Sequence, residues 1–268
     1  MGGSCSKVQT LSTALRSVQI SDAEVLGTQS TLVVPSDVTA RLENLMTLRC
    51  VIAASLFLTG SLARTDDHKL ESIKQGPKGL SPAIAKLVDV NGHRISGPDG
   101  PVIEIWLLKN VQVKSGFKPS FTQMYPFAPG QLIGAMRITE GVEYSDFKGQ
   151  QMAAGTYTLR YGLQPQDGNH VGTSETYDFL LALPARGDLK TTPIKSFDEL
   201  AEISAKAAGS THPAIFSLLD PEEVDGKAKL EQDGFTEHWV LNFAGKARSS
   251  QKAVDLKVRL VVVGQSEG

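Results

Sequence analysis

From residue 83 onward apolar and polar positions mostly alternate, and a run that alternates with period two predicts a strand with one face buried. In "VIEIWLL", Ile103, Ile105 and Leu107 fall on one face and Glu104 and Trp106 on the other. "LIGAMRI" follows the same rule. In "TYTLRYGL", Tyr157, Leu159, Tyr161 and Leu163 oppose Thr156, Thr158 and Arg160, and in "YDFLLAL" Tyr177, Phe179, Leu181 and Leu183 line up. "HWVLNF" and "DLKVRLVVV" add two strands near the end, for seven or more in all. Asn91-Gly92, between the apolar flanks of "AKLVDVNGHRI", predicts a tight hairpin turn. "SGFKPSFTQMYPFAPG" carries three prolines and four aromatics without a period, and predicts a loop packed by its own side chains.

One stretch changes to helical spacing. In "SFDELAEISAKAAG", Ser196 followed three residues later by Glu199 forms a capping box, Phe197, Leu200, Ile203 and Ala207 share a face, and Gly209 supplies the stop. Strands that do not alternate regularly with helices argue against a parallel α/β sheet. The expected fold class is therefore mainly β: an antiparallel β-sandwich, immunoglobulin-like or related, with one short helix.

The segment "MTLRCVIAASLFLTGSLARTDDHK" interrupts this picture with a different chemistry. Arg49 supplies a positive start, Val51 to Leu58 an apolar stretch, and Ser61 and Ala63 the small residues before a cleavage site, so residues 46–63 read as a signal peptide with Arg64 the first mature residue. The apolar run is far shorter than the ~20 residues of a membrane span, and no transmembrane anchor is expected. An export signal at residue 46 implies that Met46 is the start and that residues 1–45 are an over-extended gene start or disordered. "MGGSCS" also fits the myristoylation pattern, with Cys5 as a second lipid site, but it conflicts with export. Residues 64–82, polar and turn-rich, read as a flexible N-terminal arm, and residues 83–268 as the β domain. The expected localisation is exported, periplasmic or extracellular.

Cysteine usage agrees with this. Cys5 and Cys50 both precede the proposed cut, which leaves a mature chain without disulfides, thiolate ligands or a cysteine nucleophile. No Asn-x-Ser/Thr sequon occurs, and the combination suits a bacterial envelope protein. With 27 basic and 29 acidic residues and no basic cluster, the chain lacks the footprint of a nucleic-acid binder. It also lacks G-x-S-x-G, H-E-x-x-H, Walker A and a helix-opening G-x-G-x-x-G. "DPEEVDG", from Asp220 to Gly226, is acidic but lacks the ligand spacing of a calcium loop.

In "AAGTY", Gly155 suits a corner and Tyr157 is placed to return its hydroxyl to the preceding loop, a structural tyrosine corner. The run "FKGQQMAAGTYTLRYGL", preceded by "LIGAMRI" and followed by "EHWVLNF", resembles exported bacterial β-sandwich proteins of a domain-of-unknown-function family that share a G-x-x-x-x-A-G-T-Y-x-L corner. The resemblance spans about residues 130 to 265. It implies export and a β fold, and no activity or catalytic residue.

The loop from Gln164 to Thr176 is longer than a hairpin needs and is the expected recognition loop. Asp167, Asn169, His170, Thr173 and Ser174, with Arg160 on the adjoining strand, are the candidate ligand-binding residues. The competing reading makes Asp167-Gly168 a turn and leaves His170 solvated. No cofactor is expected. The alternative is a divalent metal held by His170 and Asp167 with a distant His93 or His238. His68, with Asp66 and Asp67, lies in the arm, and His212 precedes Pro213. Glu104, a carboxylate on an apolar strand, is either a general acid of raised pKa or one half of an ion pair. The expected function is a non-catalytic binding or envelope-associated module that takes a polysaccharide, an envelope protein or a small polar ligand. The alternative is a metal-binding protein or metal-dependent enzyme using the 164–176 loop.

Overall fold

Lys69–Ile73 (β1) pairs antiparallel with Gly92–Gly97 (β2) in the computed structural model, which describes residues 68–164, 176–250 and 252–266. The larger sheet continues from that pair through Gly100–Leu107 (β3). It then skips Val111–Val113 (β4) to take Leu132–Ile138 (β5), Gly155–Leu163 (β6), Asp178–Pro184 (β7) and Ile215–Ser217 (β8). Every neighbouring pair in it is antiparallel, and the sheet curls into a half-barrel. The smaller sheet is built on Trp239–Ser249 (β10), which pairs along its length with Lys252–Val263 (β11). The other edge of β10 is shared. Lys229–Gln232 (β9) runs antiparallel to its beginning and β4 runs parallel to its end. The chain is mainly β with one long helix, as the alternation predicts.

Both sheets feed one core. Ile95, Ile105, Met136, Leu159 and Tyr161 of the larger sheet pack in one cluster with Leu241, Phe243, Val258 and Leu260 of the smaller. The outer face of β7 is covered as well, since Phe179, Leu181 and Leu183 pack with Leu200 of the helix Phe197–Ala208. Burial on both faces explains the uninterrupted apolar run in β7, where Leu180 and Ala182 point to the main core. Tyr125 and Phe127 of the proline-rich loop are fully buried and stacked, with ring centroids 5.4 Å apart. The Tyr125 hydroxyl donates to the Leu219 carbonyl at 2.9 Å and accepts from the Arg259 amide at 3.0 Å. This loop is packed by the shared core, beyond its own side chains.

Local signals hold well. The Ser196 hydroxyl accepts from the Glu199 amide, and Gly209 closes the helix in the left-handed region at φ 61°. The helix Pro82–Ala85 (α1) precedes it in the chain, so Phe197–Ala208 is α2. The buried stripe of α2 is Leu200, Ser204, Ala205 and Ala207, whereas Phe197 is 39% exposed. Ser204 can be buried because its hydroxyl donates to the Ala182 carbonyl at 2.8 Å and accepts from the Ala214 amide at 3.0 Å. The Tyr157 hydroxyl donates to the Ala153 carbonyl four residues upstream, which makes the expected tyrosine corner.

Two expectations change. Asn91-Gly92 does not close a hairpin, because α1 and a single bridge between Val88 and Leu108 stand where the first strand would be. Asp89 Oδ1 accepts from the Asn91 amide and side chain, a side-chain turn that serves the same dipeptide. The tight hairpin is instead β2–β3, with Gly97 opposite Gly100 across Pro98-Asp99. The arm expected at 64–82 supplies β1, an edge strand whose Lys69 and Glu71 conceal it in the sequence, since an edge needs only one partner and half a buried face.

Candidate functional site

A hairpin, two loops, the end of β11 and the residue before β1 meet at a pocket of about 750 Å³. Its walls come from the β2–β3 hairpin, Gly141–Ser145, Thr236–His238 and the end of β11, with His68 just before β1. Three of the walls are tied to one another. The Tyr144 hydroxyl donates to the Val262 carbonyl at 2.6 Å, and Gln265 Nε2 donates to Ser145 Oγ at 3.1 Å. His238 Nε2 lies 2.9 Å from the Gln265 carbonyl, and its ring meets the edge of Phe147 at 5.4 Å. Gly264 permits that approach, because a Cβ there, at φ 124°, would fall 2.3 Å from His238 Cδ2. The pocket is thus preformed, and its size is that of small-ligand sites.

Its chemistry is acidic and hydrogen-bond accepting. The described residues that line it include Asp99, Glu143 and Glu237, the imidazoles of His68 and His238, and neither Lys nor Arg. The His68 ring also packs against Trp239, with centroids 5.0 Å apart. Carboxylates and imidazoles suit a ligand that donates hydrogen bonds, such as hydroxyl or ammonium groups.

The turn that leads into the pocket carries two unusual residues. Glu237 has a left-handed backbone, φ 58°, which an unbranched polar residue adopts at a cost. Phe235 is 99% exposed at the tip of the turn between β9 and β10. Asp233 Oδ1 holds that turn by accepting from the Phe235 and Thr236 amides and the Thr236 hydroxyl, and these donors hold its carboxyl below the usual range. An aromatic ring displayed on a braced turn beside a pocket has the form of a contact residue. Glu237→Gly relieves the backbone, and the variant is expected to be more stable by roughly 1 kcal/mol in urea denaturation. Unchanged or lower stability would mean that the turn carries no strain.

The residues expected from sequence separate. Asp167, Asn169, His170, Thr173 and Ser174 lie outside the described residues. Arg160 is corrected. It is fully buried, and Nε and Nη2 grip Asp188 at 2.6 and 2.8 Å while the remaining donors reach the carbonyls of Gly130, Thr192 and Lys190. All five of its N–H groups are engaged, so it is a structural clamp with nothing left for a ligand.

His93 and His238, expected as distant metal ligands, occupy different surroundings. His93 packs against Phe243, with centroids 5.5 Å apart, and burial lowers its pKa. His238 joins the end pocket with His68, a pairing that no sequence spacing announced. Among the described residues, no group of three or more His, Cys, Asp or Glu could hold a metal ion, and no helix is long and apolar enough to cross a membrane. Glu104 is half of an ion pair: its Oε1 accepts from Arg94 Nη2 at 2.7 Å and Nε at 2.9 Å. No family model matches the chain, and neither a curated protein nor a solved structure matches it.

Proposed function

We propose that this chain is an exported, non-catalytic binding module whose end pocket takes a hydroxyl-rich ligand, a short stretch of polysaccharide. The observation that carries the reading is the pocket itself: about 750 Å³, lined by three carboxylates and two imidazoles without Lys or Arg, beside the exposed Phe235. Sugar hydroxyls donate to carboxylates, and an aromatic ring stacks on the apolar face of a sugar. The turns that form the pocket sit where β proteins usually present recognition loops.

Export rests on the 46–63 segment and on the resemblance to exported bacterial β-sandwich proteins. In this reading the two sheets are a sandwich variant with one layer curled. Sequencing the mature N-terminus tests export directly, and a start at Arg64 is the expected result. The ligand is tested by screening the purified protein against an array of neutral and amino oligosaccharides, then titrating each positive by calorimetry. Binding that is lost in Phe235→Ala and weakened in Glu237→Gln supports the proposal. Absence of binding across the array, or binding indifferent to both substitutions, removes it.

A further inference from the structure

On the face of β3 that carries Glu104 and Trp106, charged residues of four adjacent strands stand in direct register. Glu71 of β1 faces Arg94 of β2, Arg94 faces Glu104 of β3, and Glu104 faces Arg137 of β5. Neighbouring strands are about 4.8 Å apart, so the two guanidinium groups stand on either side of one carboxylate. The segment after β1 crosses above this row. It is tied down at two points, where the Trp106 indole N–H donates to the Gln75 carbonyl at 2.9 Å and the Thr156 hydroxyl donates to the Lys78 carbonyl at 2.7 Å. Between strap and sheet lies a pocket of about 300 Å³, lined by Lys74, Lys78, Arg94, Glu104, Trp106 and Arg137 among others.

The charges there do not balance. Four cationic side chains line the pocket against one carboxylate, Glu104, whose side chain is buried. Glu71 lies at 3.8 Å from Arg94 Nη1, at the outer limit of an ion pair. Arg94 directs Nε and Nη2 to the same Glu104 oxygen. Arg137 Nε is 3.0 Å from Glu104 Oε2 but lacks the alignment of a hydrogen bond, and that buried N–H has no other acceptor. The strand ladder itself alternates charges, but the strap adds Lys74 and Lys78 to the pocket without a further carboxylate among its described lining residues, and Arg137 Nε is left without an aligned acceptor. Arginine forks flanking a space of this size match the oxygens of a carboxylate or phosphate.

We propose that the pocket beneath the 74–79 strap is a binding site for a small oxyanion, with Arg137 and Arg94 as its hydrogen-bonding groups and Lys74 and Lys78 as its electrostatic rim. Glu104 holds the two guanidinium groups apart and in place. The site shares no lining residue with the end pocket, so it stands or falls independently of the polysaccharide reading.

The test is calorimetric titration of the full chain with inorganic phosphate and with citrate, against sodium chloride at matched ionic strength. Saturable binding of phosphate alone assigns a phosphate-bearing ligand, binding of citrate alone assigns a carboxylate ligand, and binding of both supports the shared oxyanion chemistry. Arg137→Gln is expected to weaken binding by about tenfold or more, the loss of one charge-assisted hydrogen bond. Lys74→Gln with Lys78→Gln, both exposed and outside the ladder, is expected to weaken it by a smaller factor and to leave the thermal midpoint unchanged. Heats no different from sodium chloride for either anion, or equal affinity in both variants, overturn the proposal.

Discussion

Asp188→Ala is expected to destabilise the protein by about 3 to 5 kcal/mol, the cost of stranding a buried charge. The substitution leaves the Arg160 guanidinium fully buried with three carbonyls and no counter-charge, and removes the acceptor of the Thr158 hydroxyl at 2.6 Å. Arg160 shares its face of the sheet with Leu181, directly opposite on β7, under the cover of residues 184–196 and α2. Water cannot reach it without opening that cover. The double variant Arg160→Met with Asp188→Leu is expected to recover most of the loss, because the favourable interaction of a buried pair is largely offset by its desolvation. Urea denaturation of the single and double variants decides the matter. A loss below about 1 kcal/mol in the single variant would mean that the clamp opens to solvent.

The second large effect is expected at Asp178. This carboxylate is fully buried and is held by hydrogen-bond donors, with Lys114 exerting a weaker pull on its charge. It accepts from the Met124 amide at 2.8 Å, the Tyr125 amide at 3.0 Å and the Tyr161 hydroxyl at 2.5 Å, and so anchors the proline-rich loop to the sheet. Asp178→Ala orphans three buried donors, and at 1 to 3 kcal/mol each, partly relieved by relaxation, the expected loss is about 4 kcal/mol. The same group sets a pH dependence. Burial is the largest influence and raises its carboxyl above 3.8, against the opposing pull of its hydrogen-bond donors.

With a folded pKa above the unfolded one, the native state binds more protons in the window between them. The contribution to stability is then fully present below about 3.8 and lost as pH rises through the raised value. Asp146, raised by burial in the same way, adds to this slope, while Asp233 and Asp255, held low by their donors, act with the opposite sign at lower pH. Asp178→Asn cannot titrate, so stability should fall less steeply between mildly acidic and neutral pH than it does in the wild type. Parallel slopes in denaturation series at several pH values would show that Asp178 has the same pKa folded and unfolded.

What the sequence revealed, it revealed through short-range chemistry. The cap at Ser196, the stop at Gly209 and the corner at Tyr157 each need only residues within four positions, and each forms as the spacing predicts. What it concealed depends on which segments meet. Arg160 alternates with apolar residues and so reads as outward-facing, yet the chain returns to cover that face. The end pocket draws on five separate segments, which read alone as turns, strand ends or arm and give no sign that they meet. The alternation of "VIEIW" places Glu104 on the polar face, but strand register, which the sequence does not encode locally, sets it between Arg94 and Arg137. The recognition loop expected at 164–176 rests on its length and its polar side chains, and Asp167, Asn169, His170, Thr173 and Ser174 lie outside the described residues.

The ends of the larger sheet have a bearing on self-association. At one end Leu218, just after β8, bridges to Leu260 of β11, and at the other β1 lies beside β9, so the two sheets nearly join around the shared core. An open strand edge is a template for another copy of the chain, and these contacts cover part of it at each end. The guard on that side is the five-residue strand with Lys69 and Glu71. If β1 detaches, β2 becomes a six-residue edge with Ile95 at its centre, and molecules that had remained apart acquire a surface along which they can add strand to strand.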